Sequence, residues 1–438
     1  MIVPLIAKGR GLLKHGIVRN ALGLYALQLG TYLLPIATVM VLARRLGPGH
    51  WGSLAFMQAF AAYVTFLTNY GFNYSATREV ARHRDDPERL KDLLAGVLGA
   101  KLALAVVAIV AVVPVSMLVP AIHREQALLW PGMLWAFSIA ASPAWFFQGL
   151  ERLGIVARWD TGARLLSLLA ILLVVRSPAD TWKVLAIQGG LLFAAVVVEM
   201  VVAYREVGFR RPTARLTWET LRLGWSVFML TGALSFYTIG NGFILGLFGS
   251  SVVVAYYMGA ERICKVLGTL LTPISQAVFP RTSHLATHAR GEAARLARMS
   301  LFVMVGAALV MGAFLYLAAP VLVRVLLGAG FENAVVVLRI LSVLPPLIAA
   351  SNVLGVQWGL ALGLDRLVNL VMVGAGILNV VLAFLLVPHL YHVGMALSVV
   401  LSEAFVAAGL YVMLRLKHLD PISLSGGPWT EAPAAIPA

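Results

Sequence analysis

Three charged side chains, Glu261, Arg262 and Lys265, stand in the stretch YYMGAERICKVLG with long apolar runs on either side. At the centre of a bilayer each would cost roughly 2.5–3.5 kcal/mol on insertion scales. A chain that keeps such charges there must pair them or hydrate them. Glu261 and Lys265 are spaced i, i+4 in the favourable order, acid before base. Asp160 and Arg164 repeat the device. Lys101 and Arg262 have no evident local partner, and Glu403 is a lone acid near the middle of its own apolar run. Ion pairs of this kind serve either to join helices or to line a wet cavity. Bases at mid-depth in a hydrated cavity would neutralise an anion there. The acids Asp160, Glu261 and Glu403 are the candidates for exchanging protons or sodium.

Helical periodicity places the first cluster. On one continuous helix over 251–279, with 100° per residue and Glu261 at zero, Thr272 falls at about 20°, Lys265 at about 40°, Gln276 at about 60°, Thr269 at about 80° and Arg262 at about 100°. Six polar residues then share one arc of an otherwise apolar helix. At 1.5 Å per residue Arg262 lies about 16 Å from one end of its span, Arg164 about 15 Å and Lys101 about 12 Å. Gln28, with Tyr25 and Tyr32, gives the first apolar run a polar face. The candidate cavity residues are therefore Arg262, Lys265, Arg164, Lys101 and Gln28. Arg78, Arg82 and Arg281 stand at the same side's loops as an entrance that collects phosphate.

The elements that must carry these residues are membrane helices. The chain has 438 residues, 60% hydrophobic and 12% charged, with a formal charge of +15; a soluble domain is nearer half apolar and a quarter charged. One cysteine, Cys264, excludes an intramolecular disulfide and a Cys-rich metal cluster. A basic balance in such a chain fits loops facing anionic lipid, with no nucleic acid implied. Windows of about 20 apolar residues suffice to cross a bilayer. Twelve are found, at 21–43, 50–73, 93–119, 127–149, 154–175, 182–204, 223–248, 251–279, 299–327, 334–361, 366–388 and 393–414. With the N-terminus cytoplasmic, 23 of the 34 Lys and Arg residues fall inside, seven outside and four within spans. That bias predicts both termini inside.

The expected fold is all-α and polytopic, with about twelve transmembrane helices in two six-helix bundles. Gly149-Leu150-Glu151-Arg152-Leu153 answers Gly363-Leu364-Asp365-Arg366-Leu367. Six helices per half then make a parallel repeat, a pseudo-two-fold about the membrane normal. The expected divisions are 1–20, a cytoplasmic amphipathic N-terminus; 21–205, the first bundle; 206–222, a cytoplasmic linker; 223–417, the second bundle; and 418–438, a disordered cytoplasmic tail.

Other signals fail on context. GPGHWG, Gly47 to Gly52, has the letters of a dinucleotide fingerprint but joins two apolar helices rather than a strand and a helix. No nucleotide-binding P-loop and no H-E-x-x-H is present. His284 and His288 are i, i+4 without a third ligand, which reads as a solvated face. No metal or other cofactor is called for.

LARRLGPGHWGSLAFMQAF, YGFNYSATREVARHRDDPERL and YYMGAERICKVLGTLLTPISQAVFPRTS together resemble Wzx-type polysaccharide flippases of the multidrug/oligosaccharidyl-lipid/polysaccharide exporter superfamily, over roughly residues 20–417. The resemblance implies a non-enzyme of the bacterial inner membrane. It implies alternating access through a cationic central cavity, moving an undecaprenyl-pyrophosphate-linked oligosaccharide from the inner to the outer leaflet. Partners would be that lipid, the membrane lipids and polysaccharide polymerase machinery. Lipid II flippases of the same superfamily resemble the chain less, because they carry charges in their first helix. A cation-coupled multidrug exporter of the same fold is the alternative, disfavoured by the cationic span residues. A membrane polymerase or glycosyltransferase would need a large loop or a nucleotide-sugar domain, which the short loops do not supply.

Overall fold

The computed structural model describes residues 16–422, and every regular element among them is helical. The N-terminal 1–15 and the tail 423–438 lie outside the described residues, and with them most of the amphipathic segment and of the disordered tail expected from the sequence. The helices are α1 (Gly16–Asn69), α2 (Phe72–Arg82), α3 (Pro87–Leu118), α4 (Gln126–Ala141), α5 (Ala144–Gly149), α6 (Gly154–Val174), α7 (Thr181–Val207), α8 (Ala214–Ile239), α9 (Asn241–Phe248), α10 (Ser251–Gly268), α11 (Thr272–His288), α12 (Arg290–Leu326), α13 (Ala334–Leu341), α14 (Leu344–Ser351), and α15 (Asp365–Leu416). A π-helical stretch, Asn352–Leu360, follows α14.

By length and composition, six helical segments among the described residues can cross a membrane, the longest of them the 52-residue α15. A straight helix of that length would run about 78 Å, more than twice a hydrocarbon core. It does not run straight: Tyr391 breaks it at φ 48°. Gly47, at φ 67°, breaks the 54-residue α1 in the same way.

Side-chain size is sorted as a lipid solvent requires. Along α12 the inward face is mostly small, Ala293, Ala294, Ala297, Ser300, Ala308, Gly312 and Ala319, set among Leu301, Met304, Leu315 and Val323, while Phe302, Val310, Phe314 and Leu317 point out. Lipid tails are as apolar as leucine, so large side chains can stay outside at no cost, and small ones let helices approach. The helix starts obey ordinary capping rules. Asp86 accepts from the backbone N–H groups of Glu88 and Arg89 at 3.1 Å ahead of α3, with Pro87 at the first helical position. At the far end of α6, the Arg45 guanidinium takes the carbonyls of Ile171, Leu172 and Val175 at 3.3, 2.7 and 2.7 Å, a cation on the negative helix terminus.

The chain forms two compact units. The first holds the N-terminus to Gly47 and Phe60–Leu230; the second holds Pro48–Ala59 and Thr231 onward. In the first unit α7 packs on both α4 and α6, and Phe72, Leu94, Trp145, Phe146 and Phe147 form a core under α2 and α5. Arg210 binds Asp92 and Glu88 and so ties the connection after α7 back to α3. The hydrogen bond and charge of Asp92 raise the Arg210 pKa above its ordinary value.

In the second unit Trp358 is buried among Leu354, Val368 and Leu410 and its indole N–H donates to the Leu419 carbonyl at 2.7 Å. Pro48–Ala59, which the sequence places inside the first bundle's stretch, packs here. Gly52 shows why it can: a Cβ on it would lie 1.7 Å from the Ser251 carbonyl oxygen, so only glycine allows this approach. Trp51 is then fully buried, edge-on to Phe331 at 5.8 Å.

Candidate functional site

In the second unit the opening cluster is built around α10. Glu261 is 7% exposed; it accepts from the Tyr257 hydroxyl at 3.0 Å and pairs with Lys265 at 3.1 Å. The i, i+4 pairing expected from the sequence is therefore made. Its Lys265 end is open, with 62% of that side chain exposed. Arg262 corrects an expectation: it is partnered. Its guanidinium donates to Gln58 Oε1 at 2.5 Å and lies 5.3 Å from the Trp51 ring centre, a cation on an aromatic face. Both partners come from Pro48–Ala59, some two hundred residues away, and sequence spacing gives no sign of them. The side chain remains half-buried.

The six-residue polar arc is also corrected. α10 ends at Gly268, a 3-10 turn spans Thr269–Leu271, and α11 begins at Thr272. At three residues per turn those three positions advance the phase by about 60° beyond the α-helical count. Thr269 spends its hydroxyl on the Val266 carbonyl at 2.6 Å. The side chains of Thr272 and Gln276 lie outside the described residues. Glu403, half-buried on α15, accepts from Ser351 at 2.6 Å.

The first unit carries a different cluster. Lys101, on α3 and 5% exposed, is also partnered, donating to the Ser142 carbonyl at 3.0 Å. The hydroxyl of the same serine donates to Glu199 Oε2 at 3.2 Å. Glu199, on α7, has no exposure, and its other oxygen has no partner. Asp160, on α6, lies within electrostatic reach of Glu199, and its Oδ1 is likewise buried without a partner. The Asp160–Arg164 ion pair suggested by spacing is not closed among the described residues. Arg164 is exposed, and Asp160 lies within electrostatic reach of both Arg164 on its own helix and Glu199 on α7.

Arg78 and Arg82 are exposed on α2, with Arg82 held by Glu79 at 3.2 Å. Arg281 is exposed on α11 of the second unit. Gln28 lies in α1, but its side chain is outside the described residues. Sequence reasoning missed Glu199, Ser142, Tyr257, Gln58 and Trp51. One signal was countable: Glu199 is a single carboxylate inside the run AAVVVEMVVAY. The His284 and His288 rings stack at 4.5 Å, and no group of three or more His, Cys, Asp or Glu among the described residues could hold a metal ion.

Residues 17–286 match the protein family described as "Polysaccharide biosynthesis protein". The chain belongs to this family. It is 31% identical over 415 residues to a protein of Escherichia coli (strain K12) named "Putative O-antigen transporter", covering 93% of this chain and 98% of that one. A protein of the same name in Shigella dysenteriae is 27% identical over 400 residues, covering 89% and 97%. Among solved structures the fold is similar to an inward-facing multidrug resistance MATE family transporter of the MOP superfamily, with TM-score 0.69, 16% identity and coverage of 89% and 96%. It is equally similar to the lipid II flippase MurJ in an inward closed conformation, with TM-score 0.69, 13% identity and coverage of 91% and 90%. Family, relatives and fold agree with the Wzx-type resemblance read from the sequence. The chain is a multi-pass membrane protein of polysaccharide biosynthesis and not an enzyme.

Proposed function

We propose that the protein flips an undecaprenyl-pyrophosphate-linked oligosaccharide from the inner to the outer leaflet of the bacterial inner membrane. Twelve helices in two six-helix bundles cross the bilayer, and both termini face the cytoplasm. The breaks at Gly47 and Tyr391 support that count, since each divides a helix too long for one crossing into two span-length parts. The observation that carries the function is the full-length likeness to proteins named as O-antigen transporters, joined to cationic side chains retained in the spans. A pyrophosphate needs such neutralisation, and the isoprenoid tail needs none because it stays in lipid. The span-borne cations supply the charge, Arg262 and Lys265 in the second unit and Arg164 and Lys101 in the first, and Arg78 and Arg82 of the first unit and Arg281 of the second gather the head group on the cytoplasmic side. The multidrug alternative has only fold likeness behind it.

Deleting the gene is the direct test. Lipid-linked oligosaccharide should accumulate on the cytoplasmic side while surface polysaccharide falls. Unchanged surface polysaccharide, with increased sensitivity to cationic drugs, would instead favour the multidrug exporter.

A further inference from the structure

We propose that Glu199 and Asp160 hold a transportable proton in the first unit, with Ser142 and Lys101 as its fixed frame, and that its uptake and release drive the flipping proposed above. The inference rests on that function for its coupling, but the site itself stands on geometry.

Glu199 is wholly buried, and one of its two oxygens has no donor. Asp160, whose charge acts on Glu199, also has a buried oxygen with no donor. Two carboxylates within electrostatic reach of each other repel, and each unmet buried oxygen carries a desolvation cost. One proton placed on the pair lowers both penalties: it converts one unmet carboxylate to a neutral acid, and the net charge drops by one. Such a proton belongs to the pair rather than to either residue. Release reverses the step, returning the proton to water and leaving the second carboxylate.

The surroundings are suited to a two-state site. Helices α3, α4 and α6 pack on α7. α3 brings Lys101, whose ammonium is fixed on the Ser142 carbonyl. α4 brings no titratable residue. α6 brings Asp160 and Arg164, an exposed side chain whose positive charge acts on Asp160. The 3-10 turn before α7 holds Asp180, paired with Lys183 at the opposite end of α7. On α7 itself the next titratable group is Tyr204, about 7.5 Å further along, whose hydroxyl is also without a partner. Ser142 alone touches both sides, accepting from the lysine and donating to Glu199. Lys101 holds the Ser142 carbonyl while the serine hydroxyl holds Glu199, and beside that frame the acid pair alternates between one and two negative charges. Glu199 and Asp160 each lie about 9 Å from the Arg205 and Gly154 ends of their helices, the side on which the sequence places most of the Lys and Arg.

The test uses the full-length protein in lipid nanodiscs and follows the infrared carbonyl stretch of protonated carboxyl groups as pH is changed. The wild type should show a band that Glu199→Gln removes, Asp160→Asn shifts, and Glu199→Asp retains at a displaced position. The last variant keeps the test sharp if Glu199→Gln folds poorly. In proteoliposomes carrying undecaprenyl-pyrophosphate-linked oligosaccharide, an imposed pH gradient should accelerate flipping by about 5–150-fold, the usual range of coupling between sites, and Glu199→Gln should lose that acceleration. Acceleration by a sodium gradient alone overturns the proton. A band indifferent to both substitutions overturns the site, even where flipping proceeds. Failure of the wild type to move the lipid under any gradient overturns the flippase function and the coupling, while a band sensitive to Glu199→Gln still supports the proton site.

Discussion

The two units hold their intramembrane charges in opposite ways. In the second, Glu261 has a tyrosine and a lysine, Arg262 has an amide and an aromatic face, and Glu403 has a serine. In the first, Glu199 and Asp160 each leave an oxygen buried and unmet, and the exposed Arg164 acts on Asp160 without closing an ion pair among the described residues. A satisfied buried network fixes one geometry, whereas an incompletely satisfied one stores a penalty that a ligand can relieve. The second unit therefore looks built to present charge, and the first to change it.

The largest effect expected from breaking this contrast is at Arg262. Arg262→Ala removes a charge-assisted hydrogen bond of roughly 1.5–3 kcal/mol and a cation–aromatic contact of about 0.5–2 kcal/mol. If that charge serves the pyrophosphate, export of surface polysaccharide should fall about 10–100-fold while the protein accumulates normally in the membrane. Arg262→Lys should recover part, because it keeps charge but loses the planar fork. Low membrane abundance with near-normal export per molecule would instead reduce Arg262 to a strut between α10 and Pro48–Ala59. Both quantities come from one deletion strain, by immunoblot and by surface carbohydrate assay.

How much of this was legible follows from where each partner sits. Glu261 and Lys265 share one helix turn, so spacing alone pairs them. The partners of Arg262 lie in a segment that joins the second unit only because Gly52 lets a backbone carbonyl come so near, and no local pattern encodes that. Lys101 meets Ser142 across helices for the same reason. The polar arc failed because a 3-10 turn is a choice of three residues, invisible to a periodicity that assumes one pitch. The turn shared by the two halves was legible in kind but not in register. Pairing Gly149 with Gly363 by letters puts Glu151 opposite Asp365, whereas the left-handed residues are Glu151 and Gly363. Each closes a helix by the same bonds: Glu151 N–H to Gln148 and Arg152 N–H to Phe147 in one, Gly363 N–H to Leu360 and Leu364 N–H to Gly359 in the other. In that register buried Phe146 answers buried Trp358.

A second, smaller test compares what each network loses when one hydroxyl is removed. Tyr257→Phe withdraws one of the two donors that meet Glu261 Oε1 and leaves that oxygen to Lys265 alone, at a cost of about 1–3 kcal/mol. Ser142→Ala withdraws a donor from Glu199, which already has an empty oxygen and can accept a proton in compensation, so its cost should stay near 0.5–1.5 kcal/mol. Thermal unfolding of the purified variants in one detergent measures both. Equal losses would erase the distinction between a saturated and an unsaturated cluster.

The smallest effect lies at the two helix-ending turns, where the units solve one problem with different residues. A residue at φ above zero favours glycine, since a Cβ there costs roughly 1–2 kcal/mol. The second unit uses Gly363 at φ 73°, and nothing stands within 4 Å of where its Cβ would be. Any cost of Gly363→Ala is thus backbone strain rather than a clash, and about 1 kcal/mol of destabilisation is expected. The first unit uses Glu151 at φ 60°, an exposed side chain. Glu151→Gly should relieve the same strain and raise the unfolding temperature by about as much as Gly363→Ala lowers it, because the freedom of glycine in the unfolded chain offsets part of the strain term in both. Opposite signs for the two substitutions would establish the turns as equivalent in the two-residue-shifted register. A loss of stability in Glu151→Gly would mean that this glutamate is held by its side chain, and the letter-by-letter pairing of the repeat would regain its claim.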